Sequence, residues 1–326
     1  MSFARVTLLM LLLISQSHAW AWGRRGHALV CQEAAYLVAN QDDKANFLKN
    51  HSFDLGYYCN VPDVIWKEPP TGETETPNHY INHEVFVRAI GADKVSAALA
   101  MDRATFEKTY PQVPAKNGRI YWRIREMNDA LYSVRDKLMN KNLKPEEKRP
   151  LQAQWLQLAG FMGHYIGDLS MPLHVTENHN GALTHQDGIH SFYEDKLVNE
   201  LFMDHSFELE AEAMKLAQKR WAKEHVGLAK RSIVDLMEAM RIESAKSATL
   251  LLKTDLATGR DLAKAKRAHK KMILENLAMG GVYLAEFYRR GLGFDFDDNR
   301  FFIFNGKPDY IQPGPIGAPV MKASLN

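Results

Sequence analysis

The sequence predicts an all-α chain built as a single domain, and three observations predict it. Apolar residues recur at helical spacing through five long stretches, and alternating runs of the strand type are nearly absent. The composition, 46% hydrophobic and 25% charged over 326 residues, is that of an ordinary globular protein. It excludes a disordered chain, a collagen or a disulfide-dense miniprotein, and two cysteines are too few for a multi-cysteine zinc module. With 41 basic and 39 acidic side chains the net charge is +2, so no global basic field captures nucleic acid. Any polyanion specificity must come from a local site.

In chain order, residues 1–21 read as a secretory signal peptide. Arg5 precedes the apolar run Val6 to Ile14, and Ala19 and Ala21 give the small-x-small ending at which cleavage is expected. The apolar run is too short to span a bilayer. Cleavage removes Arg5 alone among the charged side chains, leaving an exported, nearly neutral chain that is periplasmic or secreted. Gly26 to Phe47 opens the helical pattern with Leu29, Val30, Ala34, Leu37 and Val38. In an oxidising compartment Cys31 and Cys59 either form a bridge contributing roughly 3–4 kcal/mol or stay two unrelated buried thiols; the bridge is favoured. Trp66 to Asn78, with its Pro, Gly and Thr, is a polar connection. Arg119 to Met139 and Leu151 to Ser170 are helices, the second stopped by Met171-Pro172. Val175 to Gly188 is a loop, Ser206 to Lys253 and Thr258 to Arg290 are long helical patterns broken once or twice, and residues 291–326 form an irregular tail on the surface or hanging free. The domain proper is thus expected over 22–290.

The chemistry is concentrated in the histidines. Five of the 13 (His164, His174, His179, His185, His190) fall within 27 residues, where even spacing would place about one. A lone histidine on an apolar helix is usually a satisfied core residue. Here His164 and Asp168 are four apart in an apolar helix, so both lie on one face, and His190 and Glu194 repeat the spacing. Burying an imidazole and a carboxylate among apolar residues is costly unless they are paired or bind a cation. Two such couples with His174 between them point to zinc, whose usual ligands are imidazole nitrogen and carboxylate oxygen. Upstream, Asp63 is an acid in an apolar setting, while His79, taken alone, reads as a surface-loop residue. Cleavage after Ala21 would make Trp22 the first residue of Trp22-Gly23-Arg24-Arg25-Gly26-His27. Its α-amine, with a pKa of about 7.7–8.0, could then chelate a metal together with its own carbonyl oxygen, His27 joining as a third ligand.

These residues together resemble the zinc-dependent single-strand-specific nucleases of the S-one/P-one type, which share an all-α fold and a three-zinc site with bacterial zinc-dependent phospholipase C. The resemblance is carried by W-G-x-x-G-H from Trp22, by Pro62-Asp63, by His79-Tyr80-Ile81-Asn82, by His164-Tyr165-Ile166-Gly167-Asp168 with Pro172-Leu173-His174, and by His190 with Glu194. It implies one zinc on Asp63, His79, His164 and Asp168, a second on Trp22, His27 and Asp168, and a third, more open one on His174, His190 and Glu194. The implied reaction is phosphodiester hydrolysis by a hydroxide bridging the paired zincs and oriented by Asp63, with a base stacked on Tyr80 and read by Asn82. Three positions depart from the fungal nucleases. Glu194 stands where they carry Asp, as in the phospholipase branch, and Asn82 stands where they carry Asp. The position of their phosphate-facing Arg is Trp66, so Lys67 is expected to take that role.

The expected activity is therefore cleavage of single-stranded DNA and RNA by an exported monomer, with 3′-nucleotidase activity alongside. The alternatives are a phospholipase C using the same metals on a phospholipid headgroup ester, and a non-catalytic exported zinc-binding protein.

Overall fold

The helical periodicity resolves into thirteen α-helices among the residues that the computed structural model describes, 22–296 and 307–313. The expected signal peptide lies outside them, as do residues 297–306 and 314–326 of the expected tail. In order the helices are α1 (Gly23–Ala39), α2 (Asn46–Asn50), α3 (Ser52–Tyr58), α4 (Gly72–Glu75), α5 (His83–Ile90), α6 (Val95–Ala100) and α7 (Arg103–Thr109). They continue with α8 (Ile120–Leu138), α9 (Pro145–Ser170), α10 (Ile189–Ser191), α11 (Val198–Leu228), α12 (Ile233–Thr258) and α13 (Leu262–Gly291). No strand occurs among the described residues; a lone antiparallel bridge joins Ile81 to Gly118. None of these helices is long and apolar enough to cross a membrane.

Several bounds differ from the expectations, each for a local reason. The first helix ends at Ala39, and the apolar Phe47 belongs to a separate short helix reached through the turn that Asp42 caps. Helix α9 begins six residues before Leu151: Pro145 occupies its first position, where proline's missing N–H is no loss, and the backbone N–H of Lys144 bonds the Glu147 carboxylate at 3.0 Å. The long pattern from Ser206 is two helices parted near Ala229 to Arg231, Ser232 capping the second through the Asp235 N–H at 3.1 Å, with a further non-helical residue at His205.

The core lies where α13 packs along α1 and α11, and where α9 packs on α8, α3 and α13. The Cys31–Cys59 disulfide ties α1 to the end of α3. Residues 307–313 are irregular yet not free: Pro308 and Ile311 are buried, and the Trp66 indole and Arg123 guanidinium donate to their carbonyl oxygens.

Candidate metal centre

Helix α9 carries His164 and Asp168 on one face, both fully buried. Three glycines on the same helix let other segments press against it. A Cβ at Gly160 would lie 2.4 Å from that of Tyr58, one at Gly163 would lie 2.3 Å from the Cys31 sulfur, and one at Gly167 would lie 2.8 Å from Nδ1 of His27. The result is that the His27 ring, from α1, stacks on that of His164 with centroids 4.0 Å apart. The start of α1 is pinned in place as well, because the buried Trp22 indole donates to the Gly167 carbonyl at 2.9 Å and lies 3.0 Å from the Ser170 hydroxyl.

The other residues arrive on turns. Asp63 sits in the turn Pro62–Trp66, where the Lys67 N–H reaches back five residues to the Pro62 carbonyl at 3.1 Å. A second such wide turn, Phe192–Leu197, holds Glu194. Turns one residue wider than α-helical are rare and recur at functional sites. His79 ends the tight turn Thr76–His79, His174 lies in Pro172–Val175, and His190 lies on α10.

Together they form three groups that could hold a metal: His27 with His164 and Asp168; Asp63 with His79 and His164; and His174 with His190 and Glu194. Asp168 joins the first two, its Oδ2 lying 2.9 Å from Nδ1 of His79 and its Oδ1 3.6 Å from Nε2 of His27. Asp63 Oδ1 lies 3.5 Å from His79 Nδ1 and 3.6 Å from His164 Nε2. In the third group Glu194 Oε2 is 3.3 Å from His174 Nε2 and 2.9 Å from His190 Nε2. Two ligand atoms bound to one tetrahedral zinc sit about 3.4 Å apart, so these separations suit a shared cation.

Ring orientation supports the same use. His164 donates Nδ1–H to the Cys59 carbonyl at 2.8 Å, and His174 donates Nδ1–H to the His79 carbonyl at 2.7 Å, which leaves each Nε2 as the inward lone pair. Both nitrogens of His27 are buried and make no hydrogen bond. A buried polar atom without a partner costs about 1–3 kcal/mol, and a zinc ion facing that ring would relieve the cost. The donor set, imidazoles and carboxylates, is one that zinc accepts.

The electrostatics show how much positive charge the cluster calls for. Burial, helped by the neighbouring His164, pushes the His27 pKa down to about 3, so its imidazole is neutral. Burial acts the same way on His164, but the Asp168 and Asp63 carboxylates outweigh it and raise that pKa to about 10. A proton on His164 thus does part of what a cation would do. The carboxyls of Asp168, Asp63 and Glu194 stay below the usual range although burial opposes ionisation, because the surrounding histidines, and for Asp63 also Lys67, favour the charged form.

Of the cluster, His79, His174 and His190 line a cleft of about 870 Å³ together with Lys67, Tyr80 and His179. Tyr80 is fixed by a hydrogen bond from its hydroxyl to the Lys116 carbonyl at 2.9 Å, and its ring lies nearly parallel to that of His179, 6.3 Å away. Asn82 is buried and not among the residues lining the cleft, its N–H bonded to the Asn117 carbonyl at 2.9 Å and its Oδ1 without a hydrogen bond. Lys67 extends along the cleft to Asp63, Nζ to Oδ1 at 2.5 Å, whereas Trp66 turns into the core with its ring 4.5 Å from that of Phe161.

Every candidate ligand side chain is therefore brought to one place, and His79, which reads alone as a loop residue, is buried. Two groups had no role assigned from the sequence, His179 of the histidine cluster and Glu75. His179 lines the cleft beside Tyr80, and Glu75 stands 3.2 Å from His79 Nε2. The Glu75–His79 pair has the same four-residue spacing as His164–Asp168, but it falls in a stretch whose Pro, Gly and Thr read as loop. No curated protein matches the chain. The family model described as S1/P1 Nuclease matches it over residues 22–292.

Proposed function

The chain belongs to the S1/P1 nuclease family, and from that premise we propose that it is an exported zinc-dependent endonuclease hydrolysing single-stranded DNA and RNA, with 3′-nucleotidase activity. The observation that carries this reading is the convergence of three donor groups, two of them sharing His164, at one cleft that His79, His174 and His190 line beside an anchored aromatic ring. Asp63, His79, His164 and Asp168 would hold one zinc, Trp22, His27 and Asp168 a second, and His174, His190 and Glu194 a third. Zinc supplies two things there when bound: it lowers the pKa of water toward neutrality and it offsets charge building on the phosphate oxygens.

The protein's own groups do the rest. Asp63, ionised, buried and paired with the cleft-lining Lys67, would accept a hydrogen bond from the attacking water and so aim it at phosphorus. Lys67 is kept protonated, because Asp63 and Asp168 outweigh the effect of its burial, and it meets a phosphate oxygen. Tyr80 gives one base a flat face, and Asn82 offers a donor and an acceptor for its edge. Stacking is worth about 1–3 kcal/mol per base and is sequence-tolerant. A base must leave its duplex to use such a face, which favours unpaired strands.

Export is supported by the disulfide and by the family match, which begins at the residue that cleavage after Ala21 would expose. The test uses the processed, zinc-loaded chain on single-stranded DNA or RNA and on a short-chain phosphatidylcholine, with and without chelator. Chelator-sensitive cleavage of nucleic acid is expected. Cleavage of the lipid alone would overturn the nuclease reading in favour of a phospholipase, and zinc binding without turnover of either would leave a binding protein.

A further inference from the structure

The His79 ring is supported from behind by a chain of buried groups that ends near the C-terminus. Its Nδ1 faces Asp168, and its Nε2 stands 3.2 Å from Oε1 of Glu75. Glu75 is fully buried; its Oε1 accepts from the Tyr165 hydroxyl at 2.5 Å and its Oε2 from Nη2 of Arg123 at 2.8 Å. Arg123 is fully buried too, its guanidinium carbon 5.2 Å from the Tyr310 ring centre, 5.4 Å from that of Tyr165 and 5.5 Å from that of Trp66. Its Nη1 donates to the Ile311 carbonyl at 2.5 Å. The Tyr310 ring also meets Trp66 edge-on, and the Trp66 indole reaches the Pro308 carbonyl.

A buried guanidinium is tolerated only when its donors are met. Here α4, α9 and the segment 307–313 meet them jointly, so that segment completes a pairing scheme whose other end is a candidate zinc ligand. A ligating histidine takes its tautomer and ring angle from the partner of its non-ligating nitrogen, and loss of such partners typically weakens metal binding about 10- to 100-fold.

We propose that Glu75 is a positioning residue of the metal centre, and that the C-terminal segment 307–313, acting through Arg123, is part of the same support. Ile311 and Tyr310 hold Arg123, Arg123 and Tyr165 hold Glu75, and Glu75 turns Nδ1 of His79 toward the metal. The inference rests on the zinc reading above. It places a piece of the chain more than 130 residues beyond His174 among the determinants of zinc affinity.

The test measures zinc content and site-by-site zinc affinity, by competition with a chelator, in the processed full chain and in Glu75→Gln, Tyr310→Ala and the double variant. In Glu75→Gln one zinc is expected to weaken about 10- to 100-fold while the others keep their affinity. Tyr310→Ala should weaken the same zinc by a smaller factor, and by less still once Glu75 is already changed. Tyr310 is half-buried, so its variant tests the idea even if Glu75→Gln fails to fold. Unchanged zinc affinity in Tyr310→Ala overturns the proposal. So does an equal weakening of all zincs that follows a lower melting temperature of the metal-free protein, since that marks a merely structural role. A chain that shows the site-specific loss yet cleaves no nucleic acid leaves this inference standing and removes the nuclease reading. A wild-type chain that binds no zinc overturns both.

Discussion

Three residues after Asp63, where the resemblance expects a cation, position 66 is a tryptophan buried against Phe161, and a lysine, Lys67, follows it. The wide turn carries the following residue around to the cleft, where Lys67 lies against Asp63 with 11% of its side chain exposed. Lys67 pairs with Asp63 in the free cleft, and under the proposed function a phosphate oxygen of the substrate would compete for the same ammonium. Loss of one donor to a developing oxyanion commonly costs about a hundredfold in rate. Lys67→Ala should therefore lower kcat by roughly that factor and leave zinc content unchanged, read by single-turnover cleavage and by metal analysis of the same sample. An unaltered rate would remove Lys67 from the phosphate contacts.

Between elements, what could be read from the sequence depended on length. Helices α8, α9, α12 and α13 repeat the apolar spacing over five or more turns, so their existence was legible and only their ends moved. Helices α3, α5, α6 and α7 run six to eight residues, too short for a periodic pattern to stand out from chance, and they were not legible. The site was more legible than the fold around it, because His164–Asp168 and His190–Glu194 bring their own helical spacing with them. The Glu75–His79 spacing is hidden in a stretch whose Pro, Gly and Thr read as loop, and the seat of residues 307–313 leaves no signature, since it depends on Arg123, distant in sequence.

The contact of α1 with α13 was equally hidden, and it contains a testable oddity. Glu33 on α1 is fully buried with no hydrogen bond to either carboxyl oxygen, and it packs where a Cβ on Gly281 of α13 would come within 2.5 Å of it. Burial raises its pKa well above the ordinary 4.5, so the folded protein keeps the proton. The unfolded chain releases it once the pH passes about 4.5, so the unfolded state gains and stability falls as pH rises, by up to about 1.4 kcal/mol per unit until the folded pKa is reached. Glu33→Gln removes that penalty while keeping the shape. The metal-free variant should melt higher than wild type at about pH 7–8 and equal to it near pH 4. A difference that does not change with pH would show that Glu33 is ionised in the native state.

For the whole molecule, both ends of the described chain converge on the candidate metal centre. The segment 307–313 approaches it through Arg123 and Glu75, while the Trp22 indole is locked to α9 at Gly167 and Ser170, on either side of Asp168. The lock fixes where the backbone of Trp22 begins, just ahead of the helix that carries His27. In the proposed zinc site, cleavage after Ala21 would make the Trp22 α-amine a ligand; before cleavage that nitrogen is an amide, a poor donor to zinc, so removal of residues 1–21 would complete the site. A chain that retains Ala21 should then differ from one beginning at Trp22 in a specific way. It should hold one zinc fewer and lose most of its activity, with the same melting temperature when both are stripped of metal, because the indole lock is common to the two. Metal analysis and single-strand cleavage of the two forms, prepared side by side, decide the matter: equal zinc and equal rates would mean that the N-terminus anchors α1 and takes no part in holding metal.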